Sequence, residues 1–115
     1  MRCDGSEITF LVLDGDITLD TAGRVRDRLK PLLEREGHVV LDLRGARLDS
    51  VGLGVLLSLQ RHLELRERRL ALISGEPGFL ALLDRAGARA AVAVFTRADH
   101  AVEHVRAGEI AALAA

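Results

Sequence analysis

A chain of 115 residues, 49% hydrophobic and 29% charged, has room for one ordinary core and is too apolar to be disordered. Its net charge of −1 provides no electrostatic footprint for nucleic acid or an anionic membrane surface. The single cysteine, Cys3, excludes an internal disulfide. No apolar run approaches the roughly 20 residues of a membrane span, and no signal-peptide pattern opens the chain, so a cytoplasmic location is expected.

With three Phe and no Trp or Tyr, the core must be aliphatic. Residues 8–13 have the composition of a strand, and the polar residues 2–7 before them could add an edge strand in a hairpin. Asp14-Gly15-Asp16 is a turn signal. Ala22, Val25, Leu29, Leu32 and Leu33 recur at helical spacing, with Asp20 or Thr18 available as cap. Pro31 removes a backbone bond at a cost of about 3 kcal/mol. It predicts a kink, or a helix ending near Leu29 with a short turn after it. Gly37 suits a left-handed close to this segment.

Residues 39–43 form a short, almost continuous apolar run, as in a strand buried on both faces. Residues 44–47 are expected to form a loop. A helix then starts at Asp49-Ser50, carries Leu53, Val55, Leu56, Leu57, Leu59 and Leu63, and ends in a solvated charged tail, residues 64–69. Residues 70–73 make the next buried strand. Pro77 introduces a helix over about residues 79–86, capped by Gly87. A short strand over residues 91–95 and a helix over about 98–107, with Ala98, Ala101, Val102 and Val105 inward, complete the chain. Strands alternating with helices imply right-handed βαβ units and an α/β fold. The predicted sheet is mixed but mostly parallel, with four to five strands and about four helices mainly on one face.

Ser50 interrupts the apolar pattern at a strand-to-helix boundary. It is either the cap of the following helix or an exposed hydroxyl at a helix N-terminus, a position that accommodates a phosphate. Gly52 and Gly54 would let the first turn approach a neighbouring strand and leave the Gly52 N–H uncovered. The order strand, Gly-Asp turn, helix, Val-Val-Leu-Asp-Leu, Asp-Ser-x-Gly-Leu-Gly-Val-Leu, Leu-Ala-Leu-Ile and Leu-Leu-x-x-Ala-Gly resembles the STAS domain family, and within it the anti-sigma-factor antagonists.

That resemblance spans about residues 8–105 and implies one domain over 1–115, with a core at about 8–107 and a short tail at 108–115. It implies a non-enzymatic switch that binds an anti-sigma factor acting as a serine kinase, accepts phosphate on Ser50, and is reset by a serine phosphatase. The implied partner-binding residues are Asp16, Thr18, Asp49, Ser50, Val51, Gly52 and Leu53. Thr18 stands where the family carries an acid, and Val51 where it often carries a second serine; Asp16 or Asp20 could substitute for that acid. The same domain also serves as an unmodified docking subunit of lipid-transport or stress-signalling complexes. Arg44 and Arg47 belong to solvated surface, or Arg47 lies near Ser50 and pairs with its phosphate.

No cofactor or metal is expected. His100 and His104 complete an H-x-x-E-H string, but their helix face is opposite the apolar one and no third ligand is in view. Ser50 lacks the G-x-S-x-G elbow of a nucleophile, and no phosphate-cradling glycine motif occurs.

Overall fold

The computed structural model describes residues 7–114, with side chains from residue 7 to 107. Among the described residues six strands and four helices follow one another as β1 (Ile8–Val12), β2 (Gly15–Ile17), α1 (Ala22–Glu34), β3 (His38–Asp42), β4 (Ala46–Leu48), α2 (Ser50–Glu64), β5 (Leu70–Ile73), α3 (Pro77–Arg85), β6 (Ala93–Phe95) and α4 (Ala98–Ala114). The main sheet has the order β1-β3-β5-β6, and every pairing in it is parallel. The antiparallel edge expected from residues 2–7 lies almost wholly outside the described residues.

Alternation along the two central strands divides the core. Val39, Leu41 and Leu43 of the β3 segment, with Leu70 and Leu72 of β5, face α1, α2 and α3. Val40, Ala71 and Ile73 face the other way, onto Ala101 and Val105 of α4. Three helices therefore share one face and α4 covers the other. Both faces of β3 and β5 are dry, which is why these strands are continuous apolar runs in the sequence.

The helix over 22–34 is continuous through Pro31, so the expected break near Leu29 does not occur. Pro31 is on the exposed side, and buried Leu29 and Leu32 on either side of it hold the helix to the core. Its cap is Thr21 rather than Asp20 or Thr18, and the Thr21 side chain makes no bond to the first turn. Gly37 has φ +91 and lies beyond the helix end. There it passes so close to the Glu7 carbonyl that any side chain would collide with it, and the next amide, of His38, donates to that carbonyl at 2.8 Å.

Residues 44–47 are not all loop. Ala46–Leu48 is a strand, and it pairs in parallel with Gly15–Ile17, read in the sequence as a turn. Three-residue strands are too short to show a period of two, so neither was visible. The charged tail of α2 is not fully solvated either. Glu67 adopts φ 56, with its amide bonded to the Glu64 carbonyl and the Arg68 amide to that of Leu63. This reversal turns Arg68 inward, where it is 8% exposed and donates Nε to the Gly37 carbonyl at 2.5 Å. Gly87, with φ 67, closes α3 by the same bonding pattern. Helix α4 continues seven residues past its expected end, to Ala114.

Candidate functional site

The small β2–β4 sheet serves to position one helix start. Register sets Asp16 beside Arg47 and Ile17 beside Leu48, and the Asp49 amide reaches the Ile17 carbonyl at 3.4 Å. Helix α2 then begins directly beneath β2. Gly52 is buried so tightly under Ile17 that a Cβ there would fall on the Ile17 carbonyl oxygen. That close approach fixes glycine at position 52. Gly54, in contrast, faces open space, so the expectation that both glycines serve the approach holds for Gly52 alone.

Asp49, not Ser50, caps α2. One carboxylate oxygen of Asp49 accepts the Gly52 amide at 2.9 Å, and the other accepts the Leu19 amide at 3.1 Å. The Gly52 N–H is therefore occupied, contrary to the sequence expectation. The Gly52 amide, with a smaller contribution from Leu19, holds the Asp49 carboxyl below the usual carboxylate range. Sequence alone could not separate Asp49 from Ser50, because both are good caps and they are adjacent.

Relieved of capping, Ser50 is the first residue of α2 with its side chain exposed, and among the described residues its hydroxyl makes no hydrogen bond. The β2–α1 loop beside it is braced from within. Thr21 Oγ1 donates to the Asp16 carbonyl at 2.7 Å and accepts the Thr18 amide at 2.9 Å. Leu19, at the tip, is 71% exposed even though its amide is tied to Asp49. Leu19 and Thr21 were not singled out in the sequence; an apolar residue inside a polar turn, Thr-Leu-Asp-Thr, was the available signal.

The structure brings Asp16, Thr18, Asp49, Ser50 and Val51 to one end of the domain, exposed or half-buried. Two residues of the expected contact set are corrected. Leu53 is 2% exposed within the core and cannot meet a partner, and Gly52 is covered by Ile17. Arg47 is exposed on β4. Arg44 is not simply solvated: its guanidinium grips Asp42 through two bonds, at 2.9 and 2.7 Å, and lowers that carboxyl's pKa.

The nearest histidine along α2, His62, is twelve residues from Ser50, about 18 Å at 1.5 Å per residue. His104 is half-buried against Phe95, ring centroids 5.2 Å apart, while His100 is exposed, so they do not form the free surface pair expected. Among the described residues no group of three or more His, Cys, Asp or Glu side chains could hold a metal. No helix among them is long and apolar enough to cross a membrane.

The family model described as Mlab, STAS domain, matches residues 4–94. No curated protein matches the chain at a significant level. Among solved structures, an anti-sigma factor antagonist from Mycobacterium paratuberculosis is similar at 20% identity, covering 92% of this chain and 90% of that one, with a TM-score of 0.78. A sulfate transporter family protein from Wolinella succinogenes is similar at 23% identity, covering 88% and 86%, with a TM-score of 0.72. SpoIIAA, an anti-sigma factor antagonist in its unphosphorylated form, is similar at 17% identity, covering 88% and 91%, with a TM-score of 0.65. At these identities the solved structures establish a shared fold.

Proposed function

This chain belongs to the STAS domain family, and from that premise we infer that it is an anti-sigma-factor antagonist switched by phosphorylation of Ser50. One observation carries the reading: the exposed Ser50 hydroxyl stands beside a helix cap that does not need it. In this role the chain carries out no reaction of its own. Its unphosphorylated form binds an anti-sigma factor that is also a serine kinase, and thereby regulates transcription in the cytoplasm; a serine phosphatase restores that form. Asp16, Thr18, Asp49, Ser50 and Val51 supply the contact surface.

Magnitudes support such a switch. A phosphoserine carries about −1.5 to −2 charges at neutral pH. On the free domain the N-terminus of α2 accommodates it with about 0.3–1 kcal/mol, set against the ionised Asp49 carboxylate next to it. Within an interface that offers it no cation, the same group costs about 2–5 kcal/mol. The fold is spared and the complex is lost.

Incubation with each serine-kinase anti-sigma factor of the same genome and ATP, followed by mass spectrometry, tests this. One added phosphate on the native chain and none on Ser50→Ala is expected; no phosphate with any kinase contradicts it. A second reading keeps the surface but not the modification. The match to the Mlab model, with Thr18 and Val51 in place of the antagonists' acid and second serine, favours a fixed docking subunit of a lipid-transport or stress-signalling complex. Genes for transporter subunits beside this one, in place of a kinase gene, would support it.

A further inference from the structure

Away from Ser50, the surface shared by α1 and α2 carries two adjoining hollows, of about 370 and 330 Å³, which meet at Ser58 and His62. The first has an apolar floor of Leu29, Leu33, Val55 and Leu59. The second continues past Leu57 to Leu65, which is 79% exposed. Among the described residues only these two helices and the residue closing α2 wall them, so a small molecule would keep a whole side in water. Small-ligand pockets instead enclose most of their ligand. A trough between two helices with apolar positions along its length suits a third helix.

Charge specifies which kind of helix. Among the described residues, Arg26, Lys30 and Arg61 line the hollows against one carboxylate, Asp27. Arg66 adds a cation at the foot of the trough, its Nη1 donating to the Leu33 carbonyl at 2.9 Å. The whole chain carries −1, so this is a local concentration of positive charge and not a property of the bulk surface. We propose that the α1–α2 trough docks an acidic amphipathic helix of a partner protein, with the apolar stripe on the half-buried Leu33 and Leu57 and the exposed Leu65, and the flanking carboxylates on Arg26, Lys30 and Arg61. Of the proposed contacts on α2, Arg61 is eleven residues from Ser50, about 16 Å, and the proposal does not depend on modification of Ser50.

Amide NMR titration of the full chain with two helical peptides of about 18 residues tests the proposal. The peptides share one leucine stripe at helical spacing; one is flanked by Glu, the other by Lys. Saturable binding of the Glu peptide is expected, with shifts centred on Lys30, Leu33, Ser58, His62 and Leu65. The Lys peptide should bind at least about tenfold more weakly. The Arg26→Glu/Lys30→Glu pair and Leu65→Asp should each weaken the Glu peptide by about tenfold at an unchanged melting temperature, because all three side chains are exposed. If charge reversal lowers the melting temperature, Arg26→Gln/Lys30→Gln serves in its place. No saturable binding, equal binding of both peptides, or shifts centred on Ser50 would overturn the proposal.

Discussion

The two ends of α2 use the same device to opposite effect. At its start, Asp49 bonds two backbone amides and remains near the surface, with Ser50 exposed beside it. At its end, Arg68 bonds the Gly37 carbonyl from within the core, and the buried ring of His38 accepts the Arg69 amide at 2.9 Å. Both ends are polar side chains tying distant backbone together. One is sealed and serves the fold, while the other leaves a hydroxyl uncommitted. A polar residue at a helix end becomes a functional candidate when its neighbour already performs the structural task.

Substitutions at the two ends sharpen that contrast. The largest effect is expected from Gly52→Ala, whose methyl meets the Ile17 carbonyl and forces β2 and α2 apart; about 3 kcal/mol should be lost in urea unfolding. Arg68→Ala leaves the Gly37 carbonyl without its donor and empties the space of the stem, a loss of about 2 kcal/mol by the same measurement. Asp49→Ala should lower the melting temperature less, while speeding amide exchange at Leu19 and Gly52 together, since one carboxylate holds both.

The pH dependence of that end follows from the lowered Asp49 pKa. In the unfolded chain Asp49 titrates at its ordinary value of 3.8, and in the fold below it. Its stabilisation is therefore complete above the ordinary value and disappears as pH falls through the lower folded one. Asp49→Asn should reduce the acid sensitivity of the Leu19 and Gly52 amides. The smallest effect is at Gly54, exposed inside the helix with open space around it: Gly54→Ala should stabilise by about 0.5–1 kcal/mol. The opposite signs at positions 52 and 54 would separate close approach from mere helix composition.

Much of this was legible in the sequence. The buried strands β3 and β5 are apolar runs, and α1 and α3 display their inner faces at helical spacing. The strand-to-helix boundary at Ser50 was legible as well, and its resemblance to a STAS motif led to the family. What failed to show depends on long-range contacts. The β2–β4 pair exists only because residues thirty-one apart meet, and the burial of Arg68 follows from a reversal at Glu67 that no composition rule marks. The split of roles between Asp49 and Ser50 was hidden by adjacency, and the bond from the Gly52 amide to the Asp49 carboxylate resolves it.

The affinity of the Ser50-phosphorylated and unmodified chain for the serine kinase proposed as its partner tests the central claim most directly. A loss of at least about thirtyfold on phosphorylation is predicted, the lower bound of a charge buried without a partner. Equal affinity of the two forms would contradict the account.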